Sequence, residues 1–282
     1  MDVYVVSISG ILYNVVVQNT NNSRGVVVLF RWMSIICSML CLSLIAVPNS
    51  AATAPVKKDR FYYENKGEVY WEVRTDQKLI ALTFDDGPDP QQTVEILDIL
   101  KQYDAKATFF AVGEKIAKYP EIAKRIVTEG HELGNHTYHH RMFRLPANAE
   151  AVRAEMDQTE QEIVRATGRH SSLFRPPGGI YDETIVNVSK EMGLTPIMWS
   201  WHQDTHDWSR PGVPKIVNKV LRNARNGDIV LFHDYVSGGS QTTTALKEIL
   251  PELLRQGYRL VTVSELIKPP IISIPDPTST GS

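Results

Sequence analysis

Cysteine and a dominant sign of charge are both nearly missing from this chain of 282 residues. The 2 cysteines, Cys37 and Cys41, lie in the uncharged apolar segment 32–47. A domain that follows this segment contains no cysteine, which excludes a disulfide framework there and makes the domain indifferent to redox state. The 30 basic and 32 acidic residues give a net charge of −2, which excludes binding of nucleic acid through a broadly basic surface. A neutral polymer such as a glycan is a better match.

An apolar run of full membrane-spanning length is also missing. Segment 32–47 is shorter than the ~20 residues that a transmembrane helix needs. Arg31 precedes the segment, and small residues follow it at 48–54. A basic flank, an apolar core and a small-residue exit are typical of a secretory signal. We therefore expect residues 1–54 to be a signal peptide of a secreted or cell-wall-associated protein.

An uncleaved membrane anchor is the alternative for the N-terminal segment, because apolar residues 26–30 extend the run on the other side of the arginine. Met33 is an alternative start. We expect a polar linker at 55–77, a catalytic domain at 78–268 and a disordered, proline-containing tail at 269–282.

Strand-like and helix-like segments alternate through the middle of the chain. Short apolar runs that predict buried strands lie at 78–84, 108–112, 131–135, 173–174, 196–201, 229–232 and 258–262. Helical patterns lie between them, at 91–103, 119–129, 149–167, 182–192, 214–224 and 243–256. About seven β–α units with apolar strands predict an α/β fold with a parallel sheet covered by helices, most simply a (β/α) barrel.

Five short motifs carry residue types that can hydrolyse an amide at a metal ion. They read TFDDG at 83–87, HTYHH at 136–140, RPPGG at 175–179, DTHDW at 204–208 and LFH at 231–233. Four of them lie at or just beyond the C-terminal end of a predicted strand. The exception, DTHDW, lies a few residues past the predicted strand that ends at residue 201. Because α/β barrels build active sites at this end, we expect the motifs to converge on one pocket.

Asp85 and Asp86 are adjacent, so their carboxylates are predicted to point in different directions from an extended or turning backbone. They can then divide the work, one ligating a metal and the other acting as a base. A plain turn is the alternative interpretation, because Asp, Gly and Pro dominate turns.

His136 and His140 are four residues apart, which places both rings on one face if the chain is helical there. Two histidines and one carboxylate make a three-ligand site with positions left for water and substrate, as in catalytic Zn²⁺ sites. A pair of surface or capping histidines is the alternative.

Single residues in the remaining motifs suit supporting roles. Arg175 stands before two prolines in a stiff segment and can clamp a carboxylate, although a surface arginine on a rigid loop fits equally well. His233 follows an apolar strand, and histidine suits proton donation near neutrality. Asp207 can orient a histidine, and Trp208 offers a face to a sugar. Trp199 is interpreted as part of the core.

As an ordered set, the motifs resemble the NodB-type polysaccharide deacetylases, carbohydrate esterase family 4, over residues 79–266. The resemblance implies an irregular (β/α) barrel and a bound Zn²⁺, with Co²⁺ as an alternative. Carried onto this chain, it implies that Asp85 is the general base, held by Arg175, and that His233 is the general acid, oriented by Asp207. It implies that the metal ligands are Asp86, His136 and His140. Trp208 and Leu231 would line a pocket for the acetyl group, and a backbone N–H near Gly178 would contact the oxyanion. An aromatic residue often stands at the Gly178 position in this family, so the resemblance puts glycan binding there in question.

The sequence therefore predicts an exported, metal-dependent N-deacetylase that removes acetyl groups from N-acetylglucosamine in a β-1,4 glycan, with peptidoglycan favoured over chitin. We expect a monomer that binds no nucleic acid and touches a membrane only through an uncleaved N-terminal segment. An O-acetyl xylan esterase and a non-catalytic cell-wall glycan-binding module are the alternatives.

Overall fold

In a computed structural model of the protein, the described residues are 2–8, 11–17 and 58–268. The first two stretches form an antiparallel pair, β1 (Asp2–Ile8) and β2 (Ile11–Val17). This pair belongs to a separate compact unit from the one that begins at residue 57. The apolar segment 32–47 and the tail 269–282 lie outside the described residues, so the signal peptide or anchor and the disordered tail stay predictions.

A parallel sheet of seven strands forms the centre of the larger unit. Its strands are β3 (Leu79–Asp85), β4 (Ala107–Ala111), β5 (Glu132–Asn135), β6 (Leu173–Phe174), β7 (Thr195–Pro196), β8 (Asp228–His233) and β9 (Arg259–Leu260). They are arranged in the order β7-β6-β5-β4-β3-β8, and β9 pairs with the first residues of β3. The predicted α/β fold with a parallel sheet is confirmed.

Helices separate most of these strands in the chain. They are α1 (Arg60–Lys66), α2 (Gln92–Gln102), α3 (Gly113–Lys118), α4 (Pro120–Thr128), α5 (Ala149–Thr167), α6 (Glu183–Glu191), α7 (Val213–Leu221), α8 (Thr242–Arg255) and α9 (Val263–Ile267). The longest of these, α5, begins where the Asn148 side chain accepts a hydrogen bond from the backbone N–H of Ala151 and ends at Gly168 in the left-handed conformation. Among the described residues, no helix has both the length and the apolar character needed to cross a bilayer.

The alternation of side chains along β3 separates an apolar face from the face that carries the site. Phe84 stacks on Phe109 at 5.0 Å and on Phe232 at 5.6 Å between ring centroids, within the larger core. The alternate residues of β3 point to the other face, where Thr83 and Asp85 are buried. This second face is therefore polar near the C-terminal edge of the sheet.

The predicted strand 196–201 is shorter than expected, because β7 ends at Pro196. The carbonyl oxygens of Ile197 and Met198 accept hydrogen bonds from the Arg175 guanidinium, at 3.0 and 2.7 Å. Trp201 already begins a short 3₁₀ turn. Beyond β7 the backbone keeps an isolated parallel bridge between Ile197 and Tyr70.

The prediction of a polar linker at 55–77 is wrong for the part of it that the structure describes. Helix α1 lies there, and Tyr63, Val69 and Trp71 are buried in a cluster that includes Met198. The partners that bury these side chains, Val186 and Met198, are distant in the chain, so no local pattern shows the contact. The folded unit therefore begins before residue 78.

Candidate active site

A cavity of about 430 Å³ opens at the C-terminal edge of the sheet. All five motifs contribute to its wall, which consists of Asp85, Asp86, His136, His140, Met142, Gly178, Trp199, Asp204, His206, Trp208, Leu231 and His233. Arg175 and Asp207 are fully buried and contact wall residues from behind. The structure thus brings every predicted site residue to one place, either in the wall or against it.

Asp86, His136 and His140 form a group that suits a metal ion. Asp86 Oδ1 lies 3.1 Å from His140 Nε2 and 3.5 Å from His136 Nε2. This buried oxygen has no hydrogen-bond donor. One carboxylate oxygen and two imidazole nitrogens that face one another without a hydrogen bond are a typical set of ligand atoms for a divalent cation such as Zn²⁺.

The tautomer of His136 also fits a metal. Its Nδ1 lies 2.6 Å from the carbonyl oxygen of Arg175, so Nδ1 carries the proton and donates it there. Nε2, 3.5 Å from Asp86 Oδ1, is then the nitrogen available to a metal ion. The rings of His136 and His140 meet at 4.9 Å because Thr137 and His140 have positive φ, and not because the segment is helical.

Both adjacent carboxylates reach the same point, contrary to the prediction that they diverge. Asp85 Oδ2 lies 3.7 Å from His136 Nε2, and Asp86 Oδ1 lies 3.5 Å from the same atom. The cause is the backbone of Asp86, whose φ of 80° is left-handed and turns its side chain back towards the cavity. Burial raises the pKa of Asp86, but the facing histidines outweigh this and hold it well below its usual range.

Arg175 holds Asp85 in place. Its Nη1 donates to Asp85 Oδ1 at 2.7 Å and to Thr83 Oγ1 at 2.8 Å. Its guanidinium lies 4.1 Å from the centre of the Phe110 ring. With its other nitrogens bound to backbone carbonyls of the chain after β7, this buried arginine has no freedom to leave the carboxylate.

His233 and Asp207 form a second held pair. His233 Nδ1 lies 2.7 Å from Asp207 Oδ1, and the His233 backbone N–H donates to Asp207 Oδ2 at 2.8 Å. Thr242 also donates to Asp207. Burial lowers the pKa of His233, yet the hydrogen bond and negative charge of Asp207 raise it to about 9. The imidazole is thus protonated near neutral pH.

Four wall residues were not predicted for the site: Met142, Trp199, Asp204 and His206. Met142 lies over Gly178, since a Cβ at that glycine would be 3.3 Å from the Met142 methyl carbon. It fills space beside the position where the family often has an aromatic ring. Trp199, predicted as core, packs against the core and lines the cavity as well. The clustering of Trp199, Trp201 and Trp208 within ten residues was the available signal.

A second group of ligand-type atoms comes from Glu72, His202 and Asp228. His202 Nε2 lies 2.9 Å from Asp228 Oδ1. The guanidinium of Arg60 lies 3.1 Å from Glu72 Oε1 and also stacks on Trp201. A protein cation therefore already pairs with one of the two carboxylates in this group.

Comparison with known proteins agrees with the geometry. Residues 72–197 match the family described as polysaccharide deacetylase. A peptidoglycan-N-acetylglucosamine deacetylase of Bacillus cereus is 47% identical over 206 residues, which cover 73% of this chain and 95% of that protein. The chain belongs to the polysaccharide deacetylase family. The resemblance carried by the motifs is thereby confirmed.

Two solved structures share the fold. The Bc1960 peptidoglycan N-acetylglucosamine deacetylase, in complex with 4-naphthalen-1-yl-N-oxidanyl-benzamide, has a TM-score of 0.70 and 36% identity, and the match covers 74% of this chain and 96% of that one. A family 4 acetyl xylan esterase from Clostridium thermocellum, in complex with a cobalt ion, has a TM-score of 0.62 and 33% identity, covering 67% and 90%. The curled parallel sheet is thus the polysaccharide deacetylase fold.

Proposed function

We propose that this protein is an exported, metal-dependent hydrolase that removes acetyl groups from N-acetylglucosamine residues of peptidoglycan. The observation that carries the proposal is the convergence of a three-ligand cradle, a clamped carboxylate and a protonated histidine on one cavity. The 47% identity to the Bacillus cereus relative supports peptidoglycan over chitin. The signal-like segment 32–47 supports export.

The site divides the chemistry of amide hydrolysis among its residues. Asp86, His136 and His140 would hold the cation, with Zn²⁺ favoured by ligand type, and the bound cation supplies Lewis acidity at this end of the cavity. Asp85 uses Oδ1 for Arg175 and keeps Oδ2 on the cavity side, where it can accept a proton from the attacking water.

His233 completes the reaction at the leaving group. Its Nδ1 is bound to Asp207, so Nε2 is the nitrogen left to donate a proton to the departing amine. Leu231 and the half-exposed Trp208 give the cavity an apolar wall that suits the acetyl methyl group. A backbone N–H near Gly178 would stabilise the oxyanion.

Acetate release from defined polymers tests this function. The purified full-length chain, loaded with Zn²⁺, is expected to release acetate from peptidoglycan and more slowly from chitooligosaccharides. Release from acetylated xylan alone would establish the esterase alternative. Binding of glycan without any acetate release, under conditions where a related deacetylase is active, would establish a non-catalytic glycan-binding protein.

Two variants test the assigned roles. Asp85→Asn is expected to lower turnover by about 10²- to 10⁴-fold, the usual contribution of a general base, while the protein keeps its metal. His136→Ala is expected to lose the metal itself, measured by mass spectrometry of metal content after dialysis. Metal loss in Asp85→Asn with retention in His136→Ala would refute the assignment.

A further inference from the structure

The peptide bond between Asp86 and Gly87 is held at both ends by side chains from elsewhere in the chain. Lys115 Nζ donates to the carbonyl oxygen of Asp86 at 2.7 Å, and the N–H of Gly87 donates to Asp234 Oδ1 at 2.8 Å. Lys115 comes from α3, and Asp234 directly follows β8. Neither side chain has a place in the reaction described above.

Asp234 is itself fixed in a buried position. Its Oδ2 accepts a hydrogen bond from Thr93 Oγ1 at 2.7 Å, and Thr93 Oγ1 accepts one from the N–H of Asp89 at 2.7 Å. A Cβ on Gly87 would overlap the Asp234 carboxyl group. One carboxylate thus ties together the turn that follows Asp86, and only glycine leaves room for it.

This arrangement bears on Asp86, which has the left-handed φ of 80° that a residue other than glycine rarely adopts. A peptide plane pinned at its carbonyl and at its N–H fixes ψ of the preceding residue, and so fixes the direction of the Asp86 side chain. We infer that Asp234, assisted by Lys115, is a positioning residue that holds Asp86 Oδ1 in the metal cradle. The inference rests on the proposed function in that it takes Asp86 to be a metal ligand.

Three variants of the full-length protein test the role of Asp234 by Zn²⁺ affinity. Asp234→Ala leaves the buried Gly87 N–H without an acceptor and is expected to weaken Zn²⁺ binding by about 10- to 100-fold, the usual effect of losing support behind a metal ligand. Asp234→Asn removes the charge but keeps an oxygen for Gly87, so its affinity should stay near wild type. Gly87→Ala keeps all charges but displaces the carboxyl group, and should resemble Asp234→Ala.

Asp228→Ala is the matched control. Asp228 is equally buried and its carboxylate also accepts two hydrogen bonds, here from the side-chain N–H of Gln203 and the backbone N–H of Arg225, but it lies at the opposite end of β8. This variant should lose stability and keep its Zn²⁺ affinity.

The outcomes separate positioning from stability and from charge. Wild-type affinity in Asp234→Ala, or equal weakening in Asp228→Ala, would show a purely structural residue and overturn the inference. Equal weakening in Asp234→Asn would show an effect of charge and overturn it too. If Asp234→Ala does not fold, the comparison of Gly87→Ala with Asp234→Asn decides in the same way. A wild-type protein that neither binds Zn²⁺ nor releases acetate would instead refute the proposed function.

Discussion

His233 shows how a single residue is adapted to its work by its neighbours. Burial disfavours its protonation, but Asp207 and the nearby charges of Asp85 and Asp86 outweigh burial and raise its pKa to about 9. A general acid must be protonated to act, so its contribution is present at neutral pH and is lost as pH rises through this pKa. The pair also adds stability that is fully present below the unfolded pKa of about 6.5 and is lost over the same rise.

The Asp207→Asn substitution tests this dependence. Without the negative charge, the pKa of His233 should fall, and the alkaline limb of the pH–rate profile should move to lower pH. Turnover at neutral pH should fall by about 10²- to 10⁴-fold, as for loss of a general acid. Nuclear magnetic resonance titration of the His233 imidazole in metal-free protein, wild type against variant, measures the shift directly. An unchanged His233 titration would contradict the prediction.

At the scale of elements, strands β4 and β5 support the site through close packing. A Cβ on Gly134 of β5 would lie 2.6 Å from the Phe110 ring of β4, and that ring lies against the Arg175 guanidinium. Only a residue without a side chain lets the ring sit between the strand and the arginine. The position of Asp85 therefore depends on a glycine one strand beyond β4.

Gly134→Ala is expected to cost about 1–3 kcal/mol in the free energy of unfolding, because the Phe110 ring must move in a packed core. Urea denaturation of the metal-free protein measures this loss. Phe110→Leu makes room for the new methyl group, so the double variant should lose less stability than the sum of the single losses. Additive losses would show that the ring and the glycine do not interact.

At the scale of the whole molecule, the folded unit includes residues that look like a connecting segment. Tyr63, Val69 and Trp71 bury their side chains against Met198, close to the carbonyls that hold Arg175. Removal of these residues exposes the apolar surface that they cover. A chain that begins at residue 78 should therefore unfold at a lower temperature than one that begins at residue 58.

Thermal unfolding followed by circular dichroism compares the two chains. Loss of even one buried large aromatic side chain costs about 3–5 kcal/mol, so the shorter chain should be strongly destabilised or insoluble. The chain from residue 58 keeps every described residue of this compact unit and serves as the control. Equal melting temperatures would mean that the segment is only a linker.

Local patterns in the sequence predicted the sheet and the members of the site. Apolar strands of a parallel sheet end at a common edge, so polar residues just after several strands must come close together. That argument placed Asp86, His136 and His233 at one cavity without any knowledge of side-chain contacts. The ligand types alone also pointed to a divalent metal.

Only the tertiary structure determined the directions in which those side chains point. Asp86 turns towards the histidines through a left-handed backbone, and Asp234 supports it by a hydrogen bond to Gly87, 147 positions away in the chain. Trp199 reaches the cavity as well as the core, and the segment before residue 78 folds onto the domain. Such contacts join residues far apart in the chain, and no local spacing or propensity encodes them. The sequence thus showed which side chains can take part in the chemistry, while the directions of those side chains depended on the packed structure.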